Sequence, residues 1–356
     1  MQKVKLGIIG VGYMGSTHAK NIAAGEVPEM EVTAVADRSE QRREWAKENL
    51  PEGVKIFTEG SELIDAGVCD AVLIAVPHYQ HPELAIRAFG RHLHVMCEKP
   101  MAISAEDAVR MVETAEQMGV LLTVGHQSRF SPAAQALYRQ LREGAFGSLY
   151  FARASMVRRM GIPTWGHFFD PAVQGGGCLI DLGTHALDLA LWLLNDFSPA
   201  YCCAGIFRGP GDSPTPANRW GTWDPAMLRT ETGAFGQVVL QSGTVLSLDI
   251  SWALHVPEDR EETVTLCGTA AGAELFQRHT GRPLGHYPLS DAGGGAERKS
   301  GATGGFFIFH PGASAASGNS SAVFSRNADP IRTLPLRAGT SSCGILRRMQ
   351  LCTKKK

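Results

Sequence analysis

The sequence has almost no imbalance of charge. Its 34 Lys and Arg stand against 35 Asp and Glu, a formal net charge of −1. Such a chain carries no global field to draw it to nucleic acid or to an anionic membrane, and neither is expected as a partner. It has eight cysteines but no C-x-x-C pair and no Cys/His spacing of the kind that binds zinc, so no structural metal is expected. Most of those cysteines sit in apolar runs and read as buried thiols. No apolar stretch is long enough to span a bilayer. No secretory leader precedes Val4–Ile9, which already reads as a first strand, and the cytoplasm is the expected compartment. Internal repeats are absent as well.

Near-neutrality averages two unlike parts. Residues 286–356 hold ten basic residues against Asp291, Glu297 and Asp329, which leaves 24 basic and 32 acidic residues in 1–285. The same segment is rich in Gly and Ser through 286–326, with an isolated apolar cluster at Phe306–Phe309 and a basic end. It reads as an atypical tail, either a disordered extension or the product of a shifted reading frame.

The first 125 residues alternate short β-branched runs with amphipathic segments, the pattern of a doubly wound parallel sheet. Strands are expected at Val4–Ile9, Glu31–Ala36, Val54–Phe57, Ala71–Val76, His94–Cys97 and Leu121–Val124. A helix is expected at Ala105–Gln117, capped by Ser104. From about residue 148 the runs lengthen and few helices separate them: Leu149–Val157, Ala200–Phe207, Thr232–Leu240, Thr244–Ala253 and Glu262–Cys267, two of them joined by a Gln241-Ser242-Gly243 turn. The fold class is α/β: an N-terminal Rossmann domain over 1–125, then an α+β domain on a mostly antiparallel sheet over 126–285, then the tail. Pro210–Pro225 reads as a long loop.

Gly10-Val11-Gly12-Tyr13-Met14-Gly15 follows the first strand and opens a helix. Gly10 permits a tight turn, Gly12 admits a pyrophosphate, and Gly15 allows close helix–strand packing. Tyr13 and Met14 lie at the helix N-terminus, whose N–H groups favour phosphate. Asp37 ends the next strand, 22 residues after Gly15, where a carboxylate accepts from a ribose 2′-hydroxyl. NAD is the expected cofactor. Arg38, able to clamp a 2′-phosphate, keeps NADP open.

The chemistry is carried further along. Cys97-Glu98-Lys99-Pro100 ends a strand on the ligand-binding side of such a sheet. Asp181, His185 and Asp188 then recur at i, i+4 and i+7 after the glycine run 175–177, which places them on one helical stripe. Two carboxylates and an imidazole are costly to bury without partners, so the stripe is expected to line a cleft. Three such side chains spread over roughly 10 Å of helix axis, too wide for one ion, and no metal is assigned. His185 is the natural general base. Arg158, Trp165 and His167, just before the glycine run, suit a sugar-binding wall and suit ordinary loop packing equally well.

With those residues in view, the chain resembles the Gfo/Idh/MocA oxidoreductases over roughly residues 3–275. The resemblance rests on the N-terminal fingerprint, Glu98-Lys99-Pro100 and GGGCLIDLGTHALDLALWLL. It implies that Lys99, Asp181 and His185 occupy catalytic positions and that the Lys99–Pro100 bond is cis. Ala75-Val76-Pro77-His78-Tyr79-Gln80-His81 is similar to the family's cofactor loop, with Val76 and His78 in place of the usual Thr and Asn; Pro77, His81, Glu98 and Lys99 are thereby implied in cofactor binding. His126–Phe130 is similar to another family turn, in which Arg129 reads as a tether between domains. The implied activity is oxidation of a secondary hydroxyl on a sugar or inositol ring, by a homodimer or homotetramer formed through an open sheet. An NAD-dependent glycosidase of the same superfamily and a non-catalytic NAD-binding sensor are the alternatives.

Overall fold

The computed structural model describes residues 3–277, 296–301 and 304–309. The chain forms two compact units, one built on the residues up to Gly125 joined by Ala172–Gly175, the other beginning at His126.

The first unit is a six-stranded parallel sheet. Its strands are β1 (Val4–Ile9), β2 (Met30–Ala36), β3 (Lys55–Phe57), β4 (Ala71–Ile74), β5 (His94–Cys97) and β6 (Leu122–Val124), in the order β3-β2-β1-β4-β5-β6. The helices are α1 (Tyr13–Ala23), α2 (Glu40–Asn49), α3 (Gly60–Asp65), α4 (His81–Gly90) and α5 (Ala105–Met118). The two-residue period of a strand sends alternate side chains to opposite faces. Leu6, Ile8, Ala71 and Leu73 bury on one side with Ala19 of α1 and Ala46 of α2. Ile9, Val72 and Ile74 bury on the other with α3, α4 and α5. Fully burying each Leu or Ile stabilises by about 1.5–3 kcal/mol. Helix α5 shows the local logic well. Ser104 accepts from the Asp107 N–H at 3.0 Å, Ala108, Met111, Val112 and Ala115 form the buried stripe, and Gly119 ends the helix in the left-handed region.

The strand order reverses between β1 and β4, so the crevice beyond their carboxyl ends is the switch point where ligands bind in this architecture. A single turn, α7 (Pro171–Gln174), contributes Ala172–Gln174 to this unit.

The second unit contains α6 (Pro132–Arg142), α8 (Cys178–Asp181) and α9 (Gly183–Leu194) against an eight-stranded sheet. Its strands are β7 (Leu149–Val157), β8 (Pro199–Phe207), β9 (Gly233–Leu240), β10 (Val245–Ser251), β11 (Arg260–Gly268), β12 (Gly272–Gln277), β13 (Ala296–Gly301) and β14 (Gly304–Phe309). They run β13-β14-β12-β11-β7-β10-β9-β8, antiparallel except for the β7–β10 pair. The hairpin expected at Gln241–Gly243 is present, with Gly243 at φ +87. Alternate residues of the strands, Ala152, Ala154, Leu246, Leu248, Val264 and Leu266 among them, bury beneath the apolar helix α9. Pro210–Pro225 is a loop, apart from the end of a single 3-10 turn at Gly209–Asp212.

Two readings change. The expected sheet stopped at β11, yet β12, β13 and β14 extend it, and part of the segment read as a tail pairs within it. The apolar cluster 306–309 was the signal for this: Phe306 and Ile308 are buried in the second core. Residues 286–295 and 310–356 of that tail lie outside the described residues. Asp181, His185 and Asp188 also do not share one continuous helix. The helical run breaks at Leu182 and bends by 53°. A Cβ on Gly183 would press on the Leu179 side chain at 2.9 Å, so a larger residue there would have to displace it. Among the described residues, no single helix is long and apolar enough to cross a membrane.

Candidate active-site residues in the two units

In the first unit the sequence-marked residues gather at the carboxyl ends of the strands. Gly10 adopts φ +88, and a Cβ there would meet the Ala75 carbonyl at 2.5 Å, so the loops after β1 and β4 lie against one another. Gly15 packs its Cα onto the Gly10 carbonyl. Gly12 differs, because a Cβ there would meet nothing within 4 Å. The protein's own packing therefore does not explain that glycine. Helix α1 begins immediately after it, with no side chain capping the N-terminus and no acid in the first turn, as Tyr13 and Met14 stand exposed. Open space above uncapped N–H groups fits a pyrophosphate.

Asp37 directly follows β2 but is already engaged. One oxygen accepts from the Val11 N–H at 2.9 Å and the other from the Ser39 N–H at 2.9 Å. It thus braces the glycine loop, with lone pairs left on each oxygen for a ribose hydroxyl. Arg38 is drawn to Glu59, which it meets through Nε and a terminal nitrogen at 2.9 Å; that pairing raises its pKa. A guanidinium so occupied is a poor clamp for a 2′-phosphate, which favours NAD over NADP.

Glu98 and Lys99 follow β5, and the Lys99–Pro100 bond is cis, as the resemblance implied. Glu98 is buried and accepts from His18 Nε2 at 2.9 Å, a bond that ties the fingerprint helix to the Lys99 loop. Burial alone would raise its carboxyl. The hydrogen bond and charge of His18, with the charge and N–H of Lys99, outweigh it and hold the carboxyl below the ordinary glutamate value. Lys99 itself is half-buried. His81, read as a cofactor contact, is fully buried beneath the loop. Its ring nitrogens lie 3.0 Å from the Pro100 carbonyl and 2.9 Å from that of Val76, and burial lowers its pKa. Its work is to clamp the loops after β4 and β5, including Pro77, on which a 3-10 turn begins. His78, at the position where the family has Asn, meets the Gln174 carbonyl at 3.0 Å.

In the second unit Asp181 ends α8 and His185 lies in the first turn of α9. The Asp181 carboxylate accepts from Trp252 Nε1 at 2.9 Å. His185 is 8% exposed. The last glycine of the run is explained by a backbone: a Cβ on Gly177 would collide with the Glu231 carbonyl. The buried Glu231 carboxylate accepts the Gly177 N–H at 2.9 Å and the Leu179 N–H at 3.0 Å, capping α8 from a distant strand approach. Burial raises the Glu231 carboxyl, and those N–H bonds oppose the rise.

Asp188 was expected to line a cleft on one stripe with Asp181 and His185. Its carboxylate is instead committed through both oxygens to Arg129, at 2.7 and 2.5 Å, with His126 Nδ1 at 3.5 Å. Arg129 accordingly fastens its 3-10 turn to α9 inside the second unit, which replaces its reading as a tether between domains. Ser128 adds a 2.6 Å bond to the buried Glu262 of β11.

Arg158 and Trp165 come together on a residue the sequence reading passed over. Trp220 carries the Arg158 guanidinium 5.1 Å from its ring and stands perpendicular to Trp165 at 4.7 Å. His167 is exposed two residues further on. His18, Trp252, Glu231 and Trp220 were all missed. The partners lie 80, 71, 54 and 55 positions from Glu98, Asp181, Gly177 and Trp165, beyond any local pattern. Among the described residues, no group of three His, Cys, Asp or Glu could hold a metal.

Comparison with known proteins matches residues 4–126 to a family described as "Oxidoreductase family, NAD-binding Rossmann fold", GFO_IDH_MocA. Residues 134–274 match that family's C-terminal domain. The D-glucoside 3-dehydrogenase of Escherichia coli (strain K12) is 32% identical over 78% of this chain and 78% of its own length. Inositol 2-dehydrogenase 2 of Saccharopolyspora erythraea is 32% identical over 54% of each chain, so only about half of that relative's length is spanned. A levoglucosan dehydrogenase solved in complex with NADH shares the fold, with a TM-score of 0.66 and 23% identity, over 77% of this chain and 73% of that one.

Proposed function

Because the chain belongs to the Gfo/Idh/MocA oxidoreductase family, we propose that it oxidises a secondary hydroxyl of a sugar or cyclitol ring. NAD, when bound, supplies the hydride acceptor. His185 takes the hydroxyl proton as the carbon gives up its hydride, leaving a ketone. Lys99 donates a hydrogen bond to the reacting oxygen and steadies its developing negative charge. Asp181 accepts from the substrate hydroxyl, oriented by Trp252.

One observation carries this reading. Helix α9 is apolar and buried, yet it opens with His185 just beyond a carboxylate held by an indole. Polar groups are placed there at an energetic disadvantage that packing alone does not require. Relatives named for glucosides and inositols support a polyhydroxylated ring. We further place the enzyme in the cytoplasm, where its six thiols described as free stay reduced. The helix-free face of the large sheet, with Tyr201 and Phe207 exposed, serves as the contact between copies in a homodimer or homotetramer.

The deciding assay follows nicotinamide absorbance with a panel of inositols and aldopyranoses, for the wild type and His185→Ala. Reduction of NAD by at least one ring compound, lost in the variant, is expected. Turnover unchanged by the substitution removes His185 from its role.

A further inference from the structure

An aromatic run leads away from Asp181 within the second unit. Trp252, whose indole N–H bonds that carboxylate, meets Phe168 edge-on at 6.0 Å. Phe168 meets Trp165 at 5.9 Å, and Trp165 meets Trp220 at 4.7 Å, again nearly perpendicular. Exposure rises from Trp252, fully buried, through half-buried Phe168 to Trp165, 48% exposed.

The exposed end is rigidly held. Asn218, 4% exposed, bonds the Ile162 N–H and carbonyl at 2.9 and 3.0 Å, and Thr164 Oγ1 donates to the Trp220 carbonyl at 2.6 Å. The long loop after β8 is thereby fastened to the segment that carries Trp165. Arg158 and Arg219 lie over the Trp220 ring at 5.1 and 5.4 Å, and Arg219 is also paired with Asp259. Those contacts occupy Trp220 and leave Trp165 as the indole that faces outward. Trp165 is thereby a wide, flat apolar surface held on an ordered loop and open to solvent over 48% of its area.

We propose that Trp165 is a stacking platform for a second ring, so that the substrate is a glycoside rather than a free monosaccharide. This rests on the function proposed above. The oxidised ring would present its hydroxyl to Asp181, and the ring joined to it would lay its apolar C–H face on Trp165. An indole provides a rigid, flat surface that loses little conformational entropy on binding, as a sugar face requires. Arg219 is taken up by Asp259, so a phosphate is the less suited occupant of this end.

The test is calorimetric titration with NAD present, using matched pairs: cellobiose against glucose, and lactose against galactose. Glucose 6-phosphate serves as the phosphate control. The wild type is expected to bind at least one disaccharide about tenfold more tightly than its monosaccharide, an increment typical of one well-used aromatic contact. Trp165→Ala brings that ratio towards one, and Trp165→Phe keeps most of it. A wild-type ratio near one for both pairs, a ratio untouched by Trp165→Ala, or tightest binding by glucose 6-phosphate overturns the platform. Because binding is read apart from turnover, the two proposals fail separately. A Trp165-dependent ratio without NAD reduction by any ring sinks the dehydrogenase and leaves the platform. Reduction with no such ratio does the reverse.

Discussion

Trp252 Nε1 donates to Asp181 Oδ2 at 2.9 Å, joining the residue that follows β10 to the last residue of α8. The indole is fully buried while the carboxylate is only partly so. The bond fixes which oxygen faces the indole, and it orients the carboxylate that the proposed mechanism sets against a substrate hydroxyl.

Trp252→Phe keeps most of the buried ring and deletes the donor. A hydrogen bond to a charged group contributes about 1.5–3 kcal/mol. If that orientation is needed in the transition state, kcat falls roughly ten- to hundredfold, with a smaller change in KM. Steady-state kinetics on the preferred ring compound decide it, and an unchanged kcat would show that Asp181 needs no such support.

The pair Arg129–Asp188 is another place where the structure corrects a local reading. Asp188 is 2% exposed and its two oxygens face one guanidinium. Removing one partner leaves a buried charge alone, so Asp188→Ala is expected to destabilise by about 3–5 kcal/mol. Arg129→Met with Asp188→Leu removes both charges and recovers most of that loss. Urea unfolding of the three proteins measures it; a double variant as unstable as the single one would mean that the pair contributes more than charge neutralisation.

Much of the fold was legible because its signals are local. Val4, Leu6 and Ile8 in β1, or Ala108, Met111 and Val112 in α5, announce their element by period alone. Glycine was legible in kind and not always in cause. In the run before Asp181 the cause is a close approach at Gly177, by the backbone of Glu231. The break at Leu182 was hidden because i, i+4, i+7 spacing survives a bend between two short helices. The partners of the candidate site were hidden for another reason. Trp252, Glu231 and His18 each act through a contact made only when distant segments meet.

The depressed carboxyl of Glu98 predicts a pH dependence with a definite sign. A folded-state value below the unfolded one stabilises at pH above the unfolded value, and that contribution disappears as pH falls through the folded value. Glu98→Gln cannot show this titration. Melting temperatures taken from neutral pH downwards should therefore differ most between wild type and variant near neutrality and converge below the ordinary carboxylate range. A gap that widened on acidification would contradict the coupling of Glu98 to His18 and Lys99.

Two glycines of one fingerprint should fail in different ways. Alanine at Gly15 drives its methyl into the Gly10 carbonyl, where backbone must shift, so the variant loses stability and cofactor binding together. Alanine at Gly12 meets nothing within 4 Å, so the folded protein should keep its melting temperature nearly unchanged. Its methyl would instead occupy the space above the first turn of α1, where the pyrophosphate is expected. NAD affinity is then expected to weaken at least roughly tenfold, through loss of close backbone approach to the phosphates. Thermal melts and NAD titration of both variants separate the two causes. Normal NAD binding by a stably folded Gly12→Ala protein would mean that the dinucleotide does not cross this turn.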